Sequence, residues 1–185
     1  MGFERVRAAV VGLITVAALA GAAALPSVAH AGDVASDFTL RDINGQSVTL
    51  SELKGRVVIM SFWATWCGPC KEEMPHLQKM YAELESEGLT VLSISTDDAR
   101  SASRVKPFIK KNGYSFPVLL DRDSTVISAY NPSKTLPFTV VVDRAGEVAK
   151  RHSGYNPGDE VELLEEVKAL LAASAEAPEA PADEG

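Results

Sequence analysis

Cysteine and histidine are scarce in this 185-residue chain, which contains two cysteines and three histidines. The cysteines, Cys67 and Cys70, flank a single Gly-Pro pair. A structural disulfide normally links distant segments, because closing so short a loop removes little chain entropy. A tetrahedral zinc site needs four ligands, and beyond the N-terminal segment only these cysteines, His76 and His152 could supply them. A structural bridge and a metal site are thus the disfavoured alternatives to a reactive pair.

The chain also lacks an excess of positive charge, since it has 18 Lys and Arg residues against 25 Asp and Glu. Removal of residues 1–31 would leave 16 basic and 24 acidic residues, a formal charge of −8. An acidic surface repels the phosphate backbone, so we expect no nucleic acid among the partners.

Long apolar runs are few, and the longest, residues 8–25, follows two arginines. A proline ends it, and residues 29–31 read Ala-His-Ala. This order predicts a secretory signal cleaved between Ala31 and Gly32, although the length of the run also permits an uncleaved membrane anchor. The absence of cysteine near residues 20–32 excludes a lipoprotein-type lipid there. We therefore expect the rest of the chain in the periplasm or on the outer face of the cytoplasmic membrane, where a disulfide can persist.

Composition divides the chain into three segments. Residues 1–31 form the expected signal or anchor, and residues 32–171 have the pattern of one domain. Residues 172–185 are almost wholly Ala, Ser, Pro, Glu and Asp, and such a tail is expected to be disordered because it cannot supply a core. No internal repeat is visible, and the length leaves little room for a second domain.

The central pattern is a strand, a helix and a second strand. Val57–Trp63 is apolar almost throughout, as expected for a strand covered on both faces. A helix from about Pro69 to Glu87 and a strand at Thr90–Ser95 complete a parallel unit. The other patterns predict an opening hairpin around Asn44-Gly45, a helix with Val105, Phe108 and Ile109 on its apolar side, a strand at 116–120, a short helix at 124–130, an antiparallel hairpin of 138–142 and 147–151, and a last helix from about Asp159. The expected fold class is α/β, a mixed central sheet with helices on both faces.

The two cysteines lie where the first central strand passes into the helix. Cys67 is expected at the helix N-terminus, where unpaired amides and the positive end of the helix dipole stabilise a thiolate. Because the thiolate is the attacking species in disulfide exchange, Cys67 is the predicted nucleophile, and Cys70 is predicted to resolve the mixed disulfide. Gly68 lets a partner chain approach, and Pro69 suits a first helical turn that needs no amide donor.

Residues 62–75 closely resemble the active-site segment of secreted thioredoxin-like proteins of the TlpA/ResA type. The resemblance extends to residues 37–40, 115–121, 136–138 and 142–146, and thus over about residues 34–171. This combination is more specific than a lone Cys-x-x-Cys. It implies a thioredoxin fold, in which residues 116–130 are the extra strand and helix that this family inserts.

Residues beside the motif also have expected roles. The resemblance implies that Pro137 is the cis-proline that faces the cysteines in the thioredoxin fold, the alternative being an ordinary turn proline. It further implies that the backbone of Leu136 pairs with the extended chain of a partner. Trp66, next to the thiol, is a candidate contact surface for partners, whereas Trp63 is expected in the core.

Ser61 is a departure from cytoplasmic thioredoxins, which have a buried aspartate on the strand before the motif. Glu73 is the expected substitute, because its helical phase places it on the apolar side, and it matches an acidic residue that serves the active site in ResA-type proteins. We expect Glu73 to be partly buried, to have a raised pKa and to exchange a proton with Cys70, the alternative being a surface glutamate. The phase of Glu72 places His76 on the polar side, where it is expected to be solvated.

These features predict a protein-disulfide oxidoreductase whose only redox group is the Cys67–Cys70 disulfide, with no other cofactor. Thioredoxin also has Gly-Pro between its cysteines, and its reduction potential near −270 mV is that of a reductant. The resemblance implies protein dithiol or disulfide clients, with apocytochrome c the commonest in the family. It also implies a membrane thiol electron donor of the DsbD or CcdA type. We expect a monomer.

Three other functions remain as alternatives. A disulfide-forming oxidase would show a low pKa of Cys67 and a high reduction potential. A non-enzymatic metal carrier would bind copper or zinc through His76 or His152. A peroxidase is disfavoured, because such enzymes surround the attacking cysteine with a different loop and an arginine partner.

Overall fold

The structure, a computed structural model, describes residues 33–173. The strands are β1 (Asp33–Val34), β2 (Thr39–Arg41), β3 (Ser47–Thr49), β4 (Val57–Trp63), β5 (Leu89–Ser95), β6 (Val118–Leu120), β7 (Phe138–Val142) and β8 (Glu147–Ser153). The α-helices are α1 (Gly68–Leu84), α2 (Val105–Asn112), α3 (Thr125–Tyr130) and α4 (Asp159–Ala173). The signal or anchor at 1–31 and all but the first two residues of the tail at 172–185 lie outside the described residues. Within 33–173, no helix has the length and apolar character needed to cross a membrane.

Six strands form one mixed sheet in the order β1-β8-β7-β4-β5-β6. The central strand β4 pairs in parallel with β5 and antiparallel with β7. The strands β2 and β3 form a separate hairpin, whose turn contains Gly45 at φ 89°. The mixed sheet, the opening hairpin and the later β7–β8 hairpin that the sequence predicts are all confirmed.

The core lies on both sides of β4, in which every residue is buried. Ile59 and Trp63 belong to a cluster with α1, α2 and α4. Met60 and Phe62 belong to a second cluster with α3 and the β2–β3 hairpin. Because both faces of this strand are covered, its sequence is apolar without alternation. The predicted placement of helices on both faces is confirmed.

Several elements differ from the sequence-based expectation. The strand β8 continues to Ser153 rather than ending at residue 151, and the helix α4 continues to Ala173, past the expected domain end at residue 171. The helix α1 ends at Leu84 and passes into a 3-10 turn at Glu85–Glu87, before Gly88 at φ 106°. The strand β6 begins at Val118 rather than at Phe116, since the intervening proline has no amide hydrogen to donate to a neighbouring strand. The strand β1 was not expected, because two residues carry no periodicity, and it forms through its pairing with β8.

Candidate active site

Cys67 and Cys70 form a disulfide at the N-terminal end of α1, with their Cα atoms 5.4 Å apart. Cys67 is the N-cap residue of this helix, and its Sγ accepts a hydrogen bond from the backbone amide of Cys70 at 3.3 Å. Pro69 occupies the first turn, where an amide would have no partner within the helix. An amide directed at Sγ and the adjacent positive end of the helix dipole both stabilise negative charge on Cys67 in the reduced protein.

The two cysteines differ in their accessibility to solvent. Cys67 is 5% exposed, whereas Cys70 is completely buried. Gly68 and Pro69 between them are exposed, and a Cβ atom placed on Gly68 would meet no atom within 4 Å. The surface over the disulfide is therefore open to an approaching chain, and such a chain would meet Cys67 before Cys70.

Leu136 and Pro137 lie at the same end of the sheet as the disulfide. Their position follows from the β4–β7 register, in which Phe138 pairs with Phe62 near the end of β4. The Leu136–Pro137 peptide bond is cis. Pro137 is buried, and Leu136 is half-buried against both hydrophobic clusters. The expected partner contact through Leu136 stays a prediction.

Glu73 lies one turn after Cys70 on α1 and is only 5% exposed. Its Oε1 accepts a hydrogen bond from the hydroxyl of Thr139 at 2.9 Å, and its Oε2 accepts one from the hydroxyl of Ser61 at 3.2 Å. Ser61 and Thr139 are opposite each other in the β4–β7 pair, so neighbouring strands supply both donors. The helical phase correctly predicts that Glu73 is buried. Ser61 does not act as an acid itself; its hydroxyl donates a hydrogen bond to the carboxyl group of Glu73.

Burial raises the pKa of Glu73 above its ordinary value of 4.5. The hydrogen bonds from Thr139 and Ser61 and the charge of His152 act in the opposite direction, but burial is the largest influence. A carboxyl group of raised pKa holds its proton closer to neutral pH, where it can exchange that proton with a thiol. The environment of Glu73 thus suits acid–base chemistry three residues from Cys70.

Asp97 is a buried acid near the motif that the sequence analysis did not identify. It follows β5, is 0% exposed, and accepts hydrogen bonds from both the amide and the hydroxyl of Thr65, at 2.8 and 2.6 Å. The hydroxyl of Ser95 donates a third bond at 3.0 Å. Asp97 therefore fixes the loop that carries Trp66 and Cys67. Its one sequence signal is an acidic residue just after an apolar strand.

Replacement of Asp97 by alanine is expected to lower the free energy of unfolding of the oxidised protein by about 3 kcal/mol. The reason is that the Thr65 amide would lose a carboxylate acceptor and stay partly buried without a partner. Urea denaturation at neutral pH measures the effect. Thr65→Val removes only the hydroxyl donor and should cost about 1 kcal/mol. Equal stability of Asp97→Ala and the unchanged protein would contradict the role of this loop contact.

Both histidines among residues 33–173 lie near a glutamate of α4, which is Glu166 for His152 and Glu160 for His76. Nδ1 of His76 lies 3.8 Å from Oε1 of Glu160 on α4, and its ring is 6.1 Å from that of Tyr155. The His76 side chain is still 41% exposed, so the expectation of a solvated side chain is confirmed, although α4 packs beside this face of α1. His152 on β8 has its Nε2 2.8 Å from Oε2 of Glu166. Among residues 33–173, no group of three or more His, Cys, Asp or Glu side chains could hold a metal ion.

The side chains of the two tryptophans of the motif lie in different environments. Trp63 is completely buried in the cluster beneath α1 and α2, as predicted. Trp66 is 68% exposed and borders a groove with Arg100 and Arg104. The indole of Trp66 is not part of the core. It is therefore available to contact a partner beside the reactive disulfide.

The sequence profile of the AhpC/TSA family matches residues 31–151 of the chain. The thiol-disulfide oxidoreductase ResA of Halalkalibacterium halodurans is 36% identical over 145 residues, which cover 78% of this chain and 79% of that protein. The thiol-disulfide oxidoreductase ResA of Bacillus subtilis is 39% identical over 123 residues, covering 66% of this chain and 67% of that protein. The resemblance noted in the motif thus extends over most of the chain.

Solved structures give the same result. A thiol:disulfide interchange protein of the thioredoxin family from Chlorobium tepidum has a TM-score of 0.66 and 26% sequence identity, covering 76% of this chain and 97% of its own. StoA from Bacillus subtilis has a TM-score of 0.60 and 28% identity, covering 72% of this chain and 97% of its own. The expected thioredoxin fold is confirmed by these likenesses.

Proposed function

The chain belongs to the AhpC/TSA family as a thiol-disulfide oxidoreductase of the ResA type, and we propose that it reduces the disulfides of client proteins outside the cytoplasm. In this proposal Cys67 is the attacking residue, Cys70 the resolving residue and Glu73 the proton acceptor. Residues 1–31 direct the domain to the outside as a cleaved signal, with an anchor as the alternative.

The proposed reaction transfers two electrons from the dithiol to the client. The Cys67 thiolate attacks one sulfur of the client disulfide, forming a mixed disulfide and releasing a client thiolate, which takes a proton from solvent. Glu73 then accepts the proton of the Cys70 thiol. The Cys70 thiolate attacks Sγ of Cys67, so the client leaves with two reduced sulfurs and the Cys67–Cys70 disulfide is formed.

The observation that carries this proposal is the contrast between the two cysteines. Cys67 caps α1, accepts a hydrogen bond from the amide of Cys70 and is the more exposed of the two residues. Cys70 is completely buried, and a carboxyl group of raised pKa follows it by three residues. One thiol is therefore suited to attack from outside, and the other to react only within the protein.

A reductant outside the cytoplasm needs a supply of electrons, which we assign to a membrane thiol donor of the DsbD or CcdA type. The proposed client class is proteins with a disulfide between nearby cysteines, apocytochrome c among them. Clients would bind as an extended chain along the backbone of Leu136 and Pro137, over Gly68 and Pro69. No cofactor beyond the disulfide itself enters the proposed reaction.

The equilibrium reduction potential of the Cys67–Cys70 pair tests the direction of electron flow. A potential at or below about −230 mV, titrated against a thiol buffer, is the expected result for a reductant. A potential above about −150 mV would instead make the protein an oxidase of folding clients. Consumption of hydrogen peroxide by the reduced protein without a disulfide client would indicate a peroxidase.

Trp66→Ala is expected to slow reduction of a disulfide-containing client peptide about tenfold or more, since a tryptophan at the centre of a contact often contributes about 2 kcal/mol to binding. Exchange with dithiothreitol should be unchanged, because a small thiol does not need the indole surface. Stopped-flow tryptophan fluorescence is unsuitable for this variant, so thiol release by the client is followed. Arg122→Gln, on an exposed side chain outside the groove, is the control. Equal slowing of both substrates would contradict a partner-contact role.

A further inference from the structure

A small cavity lies between α1, β8 and α4. Its volume is about 20 Å³, enough for one water molecule. Glu73 lines it, and neither cysteine does. The polar side chains around it are those of Glu73, His76, His152, Tyr155, Asp159 and Glu160. A water molecule here would have the several polar partners that such a site requires.

The cavity provides a route by which a proton can leave Glu73, which the proposed reaction requires. Glu73 is 5% exposed, and its two oxygens are held by hydroxyls of Ser61 and Thr139. A proton taken from Cys70 must leave this carboxyl group before the next turnover. The cavity connects Glu73 to protonatable side chains on the surface of α4 and β8, on a side that the disulfide does not occupy.

His152 is the cavity residue best placed to receive that proton. It pairs with Thr139 in the β7–β8 register, and directly opposite residues on one face of an antiparallel pair have neighbouring side chains. Thr139 is the residue that donates to Glu73. The ring of His152 is held by Glu166 at 2.8 Å, and its side chain is 27% exposed. It therefore contacts both the cavity and solvent, and an imidazole ring is able both to accept and to release a proton.

Charged groups from every packed element surround this histidine. Glu166 contacts both His152 and Lys150, the latter at 3.4 Å, so one carboxylate is shared by an imidazole and an ammonium group. His76 is held instead by Glu160, at 3.8 Å. Titratable or charged groups near the cavity are Glu73 and His76 on α1, Lys150 on β8, Tyr155 in the following loop, and Asp159, Glu160 and Glu166 on α4. Only His152 combines the cross-strand position beside Thr139 with an exposed edge.

We propose that Glu73 and His152 work as one proton-exchanging pair across this cavity. The carboxylate takes the proton of Cys70 and becomes a carboxylic acid; His152 then takes that proton, directly or through one water molecule, and restores the carboxylate. The imidazolium, balanced by Glu166, releases the proton to solvent. His152 is thus a positioning residue that acts through Glu73. This inference rests on the proposed role of Glu73 in disulfide reduction.

The test uses the full chain, reduced and mixed with an aromatic disulfide whose thiolate is coloured. Attack by Cys67 releases the first thiolate, and attack by Cys70 on the resulting mixed disulfide releases the second, so the second phase reports deprotonation of Cys70. His152→Gln is expected to slow this second phase about tenfold at the acid end of the pH profile, because the two groups titrate as a coupled pair. At the alkaline end the variant and the unchanged protein should agree, because Glu73 is ionised in both.

Three further variants make the test specific. Arg151→Gln removes a positive charge from the same strand, on a side chain that pairs with Asp33 rather than lining the cavity, and should leave the profile unchanged. His76→Gln changes the other histidine of the cavity and should have the smaller effect. In a Glu73→Gln background, His152→Gln should have no further effect, because residues that act as one unit are not additive.

The outcomes separate this inference from the proposed function. If Glu73→Gln slows the second phase but His152→Gln leaves the acid limb unchanged, or slows it equally at every pH, the pairing is overturned while the role of Glu73 stands. A larger effect of His76→Gln would assign the exchange to His76 and overturn the role of His152. If Glu73→Gln itself behaves as the unchanged protein, the proton-acceptor role fails and the inference fails with it.

Discussion

Replacement of Cys70 by serine is expected to stop the reaction after the first exchange and to leave the client covalently attached to Cys67. Cys70 is completely buried, so the thiol that resolves the mixed disulfide can act only from within the protein. Without it, catalysed reduction of a disulfide-containing peptide should fall about a thousandfold or more, since the two cysteines act as a unit. Mass spectrometry of the intact protein should detect one client per chain.

The matched variant is Cys67→Ser, which removes the sulfur of the more exposed cysteine. It should be equally inactive but should carry no client, because Cys70 is not accessible to an external disulfide. The pair of variants therefore assigns the attacking and resolving roles separately. A client attached to Cys70 in the Cys67→Ser protein would reverse the assignment.

Glu73→Gln is expected to slow the resolving step about a hundredfold near neutral pH, the lower range for loss of a general base. Glutamine retains the size of the side chain and can still bond to the hydroxyls of Ser61 and Thr139, so the packing of α1 against the sheet should persist. Rapid-mixing measurement of the resolving step over a range of pH tests the expectation. Glu72→Gln, on the adjacent exposed residue, is the control and should match the unchanged protein.

The same substitution should change how stability depends on pH. The pKa of Glu73 is raised in the folded protein, while in the unfolded chain it is near the ordinary 4.5. The folded state therefore binds the proton more tightly, and the stability from Glu73 is fully present below 4.5 and is lost as the pH rises through the folded pKa. Relative to the unchanged protein, Glu73→Gln should become more stable as the pH rises from 5 toward 8. If urea denaturation gives the same difference in free energy of unfolding between Glu73→Gln and the unchanged protein at both pH values, burial is contradicted as the cause.

The sequence predicts the residues of the site better than it predicts their surroundings. Cys67, Cys70 and Glu73 lie on one helix, so local periodicity is sufficient to place the carboxyl group on the buried side of α1. The contact of Asp97 with Thr65 spans 32 residues along the chain and depends on the pairing of β4 with β5, which no local pattern encodes. The contact of His76 with Glu160 depends likewise on α4, more than 80 residues later, although the helical phase correctly predicts that the His76 side chain is exposed to solvent.

The arrangement of Cys67, Cys70 and Glu73 at three-residue intervals has a consequence for the variability of such sites. Residues three apart on a helix are neighbours about 5–6 Å apart at Cβ, whatever the rest of the protein does. The spacing between the two cysteines and the acid is thus set by two helical turns. The same spacing can therefore occur in proteins whose folds differ. Ser61 and Thr139, by contrast, come from two different strands of the sheet. Exchange of these two hydroxyls could therefore retune proton affinity over evolution or in design while the sulfur chemistry stays constant.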